Sequence, residues 1–239
     1  MRALILNSGM GTRMGSLTQE LPKCMTQIDG EDTILSRQLR LLKEAGIQNV
    51  IITTGSFDRK IQEYCDSLSQ DLKYIFRKNN RYFETNYIYS IYCARDLLED
   101  DLILLHGDMV FSPDVLQKIT DSSISVMAVS LSSPLPEKDF KAVLNESEVC
   151  KIGVEFFENA VAAQPLYKFL REDWLVWLRE IESFCESGRV TCYAEVAFNE
   201  VAQKCRLSAL DVRDDLCAEI DTAEDLERIR QVLWKGTGK

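Results

Sequence analysis

The chain has 239 residues, 46% of them hydrophobic, and a net charge of −10. That is enough apolar content for a sizeable core in one domain, and the acidic balance excludes a general basic surface for nucleic acid. Eight cysteines without a C-x-x-C pair and a single histidine argue against zinc, and no apolar run approaches the roughly 20 residues of a membrane span.

Ala3–Leu6 is a short apolar run that reads as a strand buried on both faces, and it ends in a loop containing Gly9, Gly11 and Gly15. A strand feeding such a loop suits phosphate, because glycine lets backbone N–H groups approach an anion and adopts positive φ. Arg13 and Lys23 add two positive charges there. The spacing is not a P-loop, which needs G-x-x-x-x-G-K-S/T, nor the dinucleotide fingerprint G-x-G-x-x-G.

Further along, Ile34–Ala45 is expected as an amphipathic helix stopped by Gly46, with a strand at Val50–Thr53. A helix around Asp58–Leu68 and a strand at Lys73–Phe76 complete a β-α-β-α-β alternation, which argues for a parallel sheet with helices on both faces. Asn79–Ser90 is a polar and aromatic loop running into a helix from about Ile88 to Leu98. Leu102–Leu105 is another apolar strand that delivers His106-Gly107-Asp108 at its end. Asp108 therefore sits where ligands of parallel sheets bind, and a carboxylate there suits Mg²⁺ with phosphate oxygens. His106 is expected to be a packed residue without a chemical role.

Ser125–Ser130 reads as a core strand, Asp139–Leu144 and Glu148–Phe157 as antiparallel strands, and Pro165–Phe184 as a helix with Leu166, Leu170, Trp174, Leu178 and Ile181 on one face. Tyr193–Glu200 is a short amphipathic helix. Glu219 and Asp221 are two apart in an expected strand, which points both carboxylates to one side. Thr222 and Asp225 form a capping box for a last helix with Leu226, Ile229 and Leu233 inward, and a loose tail is expected from Lys235.

The series G-x-G-T-R from Gly9, Leu17-Thr18 and Pro22-Lys23 resembles the signature of the nucleotidyltransferase family that makes activated sugars and alcohols, with Asn7-Ser8 where small alanines are common. Asn86 to Ser90 and the run Glu219-Ile-Asp-Thr222 with Asp225 resemble segments of its bacterial choline-phosphate cytidylyltransferases. The resemblance is motif-level between about residues 125 and 215. It implies an α/β fold with a doubly wound, mainly parallel sheet of the nucleotidyltransferase (GT-A-like, Rossmann-like) type and a small antiparallel acceptor-binding part around residues 139–158. One domain over 1–239 is expected, with a nucleotide-binding half at 1–122 and an acceptor-binding half at 123–239.

The implied reaction is Mg²⁺-dependent transfer of CMP from CTP to a small phosphorylated alcohol or phosphonate, with pyrophosphate released. Arg13 and Lys23 take catalytic roles. Leu6, Asn7, Gly9, Gly11, Thr12, Arg13, Lys23, Thr85, Asn86, Ser90 and Asp108 contact the nucleotide, and Asp108, Asp221 and Glu219 hold the metal. Glu195 faces the acceptor. Phosphocholine leads the acceptors, ahead of glycerol phosphate, inositol phosphate and aminoethylphosphonate. A quaternary ammonium wants aromatic faces and carboxylates, which Tyr87, Tyr89, Tyr193, Phe156, Phe157 and Glu195 offer, while Lys141 or Arg189 is available for the acceptor phosphate. Two alternatives stay open: a sugar-1-phosphate nucleotidyltransferase using UTP, dTTP or GTP, and a non-catalytic nucleotide-binding regulatory domain. The expected partners are the triphosphate and the acceptor, with no nucleic acid and no membrane insertion. A homodimer and a cytoplasmic location are compatible with the composition.

Overall fold

The computed structural model describes residues 1–11, 15, 20–30, 32–68, 71–213 and 215–236. β1 (Arg2–Asn7) sends Leu4 and Leu6 to one face of the sheet and Ala3 and Ile5 to the other, and both faces are buried. A 3-10 turn at Lys23–Met25 and a hairpin of β2 (Gln27–Asp29) and β3 (Asp32–Thr33) lead into α1 (Ile34–Glu44). Thr33 starts α1 with a reciprocal cap. Its hydroxyl accepts from the Ser36 N–H at 3.1 Å, and the Ser36 hydroxyl accepts from the Thr33 N–H at 2.9 Å.

β4 (Asn49–Thr54), α2 (Asp58–Ser67) and β5 (Lys73–Lys78) fall close to where apolar periodicity expects them. α3 (Tyr87–Ala94) hands over to a 3-10 turn at Arg95–Leu97, and β6 (Leu102–His106), β7 (Met109–Phe111) and α4 (Pro113–Asp121) follow. The second half of the chain contains β8 (Val126–Ser130), β9 (Lys141–Asn145), β10 (Glu148–Gly153), β11 (Ala160–Phe169), α5 (Arg171–Glu186) and α6 (Ala194–Val201). β12 (Ser208–Asp211), β13 (Cys217–Glu219) and α7 (Ala223–Gly236) end the described chain. α7 takes in Lys235 and Gly236, where a loose tail was expected; residues 237–239 lie outside the described residues.

Nine strands of the described residues pair in the order β5-β4-β1-β6-β11-β8-β12-β10-β9. β5, β4, β1 and β6 are mutually parallel, as the alternating pattern requires. β11 runs antiparallel between β6 and β8, and its first residues also pair with β9, so the sheet folds back on itself in the second half of the chain. α3, α5 and α6 cover one face, α1, α2 and α4 the other, which is the doubly wound arrangement. α7 packs Leu226, Ile229 and Leu233 on Ile28, Ile34 and Val110 in a third cluster.

The expected helix from Pro165 is corrected at its start. Residues 160–169 are strand, with Leu166 opposite Leu105, and the helix begins at Arg171 with Leu170 as its N-cap. Pro165 is tolerated because the β8–β11 ladder is interrupted between Ala163 and Tyr167, and such an interruption is where a strand can lack an N–H. Trp174, Leu178 and Ile181 do share a buried face of α5. No helix among the described residues is long and apolar enough to cross a membrane.

Candidate functional site

β1 and β6 lie side by side in register, with Leu6 opposite His106, so their carboxyl ends deliver the glycine loop and His106-Gly107-Asp108 to one place. Gly107 permits this closeness. A Cβ there would lie 1.7 Å from the Asn7 Oδ1 and 2.8 Å from the Leu6 carbonyl. From behind, the buried Gln38 side chain donates to the carbonyls of His106 (3.0 Å) and Met109 (2.8 Å), fixing the turn that carries Asp108. β13 pairs antiparallel with β7, Glu219 opposite Met109, and the Ile220 N–H donates to the Asp108 carbonyl at 3.1 Å. This ladder brings the C-terminal carboxylates to Asp108. Asp221 lies just past the end of β13 rather than within it.

A cavity of about 430 Å³ opens here, within the range of small-molecule pockets. Leu6, Asn7, Gly9, Gly11, Lys23, Thr85, Asn86, Tyr87, Ser90, Asp108, Tyr193, Glu219 and Asp221 all line it, as the sequence expects. Gly11 has φ 65°, the left-handed conformation anticipated for an anion loop. Thr12 and Arg13 lie outside the described residues.

At the centre, the Lys23 Nζ donates to Asp108 Oδ2 at 2.7 Å and to Asp221 Oδ1 at 2.6 Å. Burial pushes the ammonium down, but the two carboxylates outweigh it and hold Lys23 above its ordinary value. For Asp108 burial likewise works upward, and Lys23 with His106 holds the carboxyl below the usual range. The second Asp108 oxygen, Oδ1, is buried and has no hydrogen-bond partner among the described residues. An orphaned carboxylate oxygen needs a cation, a donor or a water. Beside it, His106 Nδ1 is 3.1 Å from Glu219 Oε1, and ligand atoms of His106, Asp108 and Glu219 lie within 4.8 Å of one another. Burial and the charge of Asp108 push Glu219 up to about 7, against the pull of His106. Asp108 and Glu219 bring carboxylate oxygens together beside His106, and Asp221 faces Asp108 across the Lys23 ammonium; these hard oxygen donors fit a divalent cation such as Mg²⁺. His106, expected to be inert packing, is in fact part of this wall.

The loop after β5 is held by a residue that motif spacing did not single out. Asn79, 1% exposed, donates through Nδ2 to the hydroxyls of Thr85 (3.0 Å) and Ser90 (3.1 Å), while its Oδ1 accepts from the Arg81 N–H at 2.8 Å. Asn86 caps α3, accepting from the Tyr87 N–H at 2.7 Å. An Asn opening a turn before a helix is the available signal, and it marks a loop organiser as readily as a ligand contact.

Along one side of the cavity Tyr87, His106, Phe140 and Tyr193 form an aromatic wall. Ring centroids are 4.7 Å apart for Tyr87–His106, 5.8 Å for Tyr87–Tyr193, 5.2 Å for Phe140–Tyr193 and 6.3 Å for His106–Phe140. Phe140 was not anticipated. Its neighbour Lys141 was, but Lys141 is fully buried and donates to the carbonyls of Pro136 (2.6 Å) and Asp139 (3.0 Å), away from the cavity. Glu195 is 1% exposed behind Tyr87 and is not part of the cavity lining. Arg189 stacks on Phe184, Phe157 on Lys141 and Tyr89 on Arg81, so these three are spent elsewhere; Phe156 is likewise outside the lining.

Known proteins resemble this chain in sequence and in fold. The CTP:phosphoglutamine cytidylyltransferase of Campylobacter jejuni is 29% identical over 64% of this chain and 62% of its own length. The CMP-5'-(3-aminopropyl)phosphonate synthase of Streptomyces rubellomurinus is 32% identical over 76% of this chain and 31% of its own. The chain thus spans less than two thirds of the length of these two relatives. The choline-phosphate cytidylyltransferase of Streptococcus pneumoniae is 22% identical over 98% of both chains. A solved structure of the CTP:phosphocholine cytidylyltransferase from that organism superposes with a TM-score of 0.78 over 97% of this chain and 98% of that one, at 19% identity, which is a likeness of fold. A family profile described as the MobA-like NTP transferase domain matches residues 3–145, more than half of the chain and the part that carries the glycine loop, Lys23 and Asp108. The chain belongs to that family.

Proposed function

We propose that this chain transfers CMP from CTP to a small phosphorylated or phosphonylated acceptor and releases pyrophosphate. The observation that carries the reading is the convergence of Lys23, Asp108 and Asp221 at one point of a cavity that also presents the Gly9–Gly11 loop. An acceptor phosphate oxygen attacks the α-phosphorus, and the bond to pyrophosphate breaks. The acceptor's second pKa is near about 6, so it is largely dianionic at neutral pH and needs no general base. What remains for the protein is to align two anions and to stabilise charge on the α-phosphate and the leaving group. Backbone N–H groups of the glycine loop bind the triphosphate, Arg13 joins them, and Lys23 supplies a positive charge to the α-phosphate or acceptor phosphate. Asp108, Asp221 and Glu219 would hold Mg²⁺, which neutralises the triphosphate when bound.

CTP is favoured because the three relatives described above bear cytidylyl or CMP names. The compounds in those names, phosphoglutamine, an aminopropylphosphonate and choline phosphate, each carry a nitrogen function as well as a phosphoryl or phosphonyl group. The aromatic wall supports a nitrogen-bearing acceptor here, with phosphocholine first.

The test is pyrophosphate release with Mg²⁺, each of CTP, UTP, dTTP, GTP and ATP being offered with phosphocholine, glycerol phosphates, aminoethylphosphonate and hexose-1-phosphates. Turnover with CTP and a non-sugar acceptor is expected. Turnover only with another triphosphate and a sugar phosphate would replace this reading with a sugar-nucleotide one, and silence across the panel would remove catalysis from it.

A further inference from the structure

Glu195 sits in the first turn of α6 and is 1% exposed, yet it carries a carboxylate. A group of this kind is buried only where its oxygens are satisfied. Both are. Oε1 accepts from the Tyr167 hydroxyl at 2.9 Å, and Oε2 accepts from the Tyr87 hydroxyl. Burial and then the adjacent Glu195 charge hold both phenols well above their ordinary value, which keeps them protonated as donors. One side chain therefore ties together three elements. Tyr167 is fully buried on β11, Tyr87 opens α3, and Tyr193, which caps α6, is the second residue before Glu195.

Of these partners, only Tyr87 both binds Glu195 and lines the cavity. Its ring meets His106 edge-on at 65° and leans on Tyr193. The same segment carries the α3 cap, whose Asn86 N–H donates to the Val190 carbonyl at 2.8 Å, just ahead of α6. Removing the anchor frees the Tyr87 ring without touching Lys23, Asp108 or Asp221.

We propose that Glu195 is a positioning residue for the acceptor: it fixes the Tyr87 ring, and with it the aromatic wall, and makes no contact with the acceptor itself. The proposal rests on the nucleotidyl-transfer reading for its kinetic arm and on geometry alone for its spectroscopic arm.

The experiment compares wild type, E195Q, Y87F and the double variant, using CTP and phosphocholine as probes, together with ¹⁹F spectra of 3-fluorotyrosine-labelled protein in which the Tyr87 signal is assigned by its loss in Y87F. In E195Q the Tyr87 signal should shift or broaden. The KM for phosphocholine should rise about tenfold, the scale of one hydrogen bond to a charged group, with kcat and the KM for CTP within about twofold. In the Y87F background E195Q should add less than about twofold, because the link is already cut. An unmoved Tyr87 signal overturns the proposal. So does an E195Q effect of equal size with and without Tyr87, since that would make Glu195 a direct contact. A wild type silent with every acceptor would overturn the functional reading instead, and the spectra would still decide whether Glu195 holds Tyr87. If E195Q does not fold, Y167F reads the same anchor from its other oxygen, with the same expected shift of the Tyr87 signal.

Discussion

Lys23 and Asp221 are 198 positions apart in sequence and 2.6 Å apart in space, ammonium nitrogen to carboxylate oxygen. Asp108 shares the same ammonium at 2.7 Å. A lysine and a divalent cation cannot occupy one position between two carboxylates, so the two compete. Lys23→Met should raise the affinity of the free protein for Mn²⁺, read by the loss of free-ion EPR signal, while turnover falls by at least about a hundredfold through loss of charge at the phosphates. An unchanged Mn²⁺ affinity would mean that Lys23 does not guard the site. Near-normal turnover would remove its catalytic role.

Asn79 acts on the same cavity without a formal charge. Its amide donates to two hydroxyls that line the cavity, Thr85 and Ser90, and orders the loop through Arg81. Asn79→Ala leaves two hydroxyls and one N–H to find new partners, at about 1–3 kcal/mol. The KM for CTP should rise more than the KM for the acceptor. Equal effects on both would point to general loosening of the fold rather than to nucleotide recognition.

Local rules carried much of this site. The strand before the glycine loop and the Thr222–Asp225 cap of α7 are set by neighbours within a few positions, and they formed where periodicity and capping chemistry predict. What failed depended on partners far away or on a shift of one residue. Phe140 faces the cavity while Lys141 faces away, because adjacent residues at the start of a strand point to opposite sides. A positive charge near an expected phosphate does not reveal which of the two sides it takes. His106 reads as the last packed residue of an apolar strand until Glu219 arrives from 113 positions away. Leu166 and Leu170 stand at helical spacing, and only the pairing of residues 166–169 with β6, Leu166 opposite Leu105, makes that stretch strand.

Gly107 tests how tightly β1 and β6 must approach. Its missing Cβ leaves room for the Asn7 side chain, and an added methyl would meet the Leu6 carbonyl at 2.8 Å as well. Backbone cannot move aside as a flexible side chain can. Gly107→Ala should cost about 1–3 kcal/mol by overpacking and displace Asn7 from the cavity wall. Urea unfolding would measure the first effect. An unchanged midpoint would show that the β1–β6 junction is looser than its geometry.

The cap that starts α7 gives a pH-dependent expectation. Asp225 accepts from the backbone N–H of Thr222 at 2.9 Å and of Asp221 at 3.2 Å, and the Thr222 hydroxyl donates to it at 2.8 Å. Burial pushes its carboxyl up, but these bonds and Arg228 outweigh that and hold it below the ordinary value of 3.8. A depressed carboxylate contributes stability that is present above its unfolded pKa and is lost as pH falls through the folded one. Asp225→Asn, which cannot ionise, should therefore lower Tm at pH 7, and the gap to wild type should close as pH falls below about 4. Thr222→Ala removes the reciprocal bond to the Asp225 N–H, 3.2 Å long, and should cost about 1 kcal/mol at neutral pH. Because the cap directly follows Asp221, both variants should also weaken Mn²⁺ binding. A Tm gap for Asp225→Asn that is constant from pH 7 to pH 3 would mean that the carboxylate charge contributes nothing to holding α7 in place.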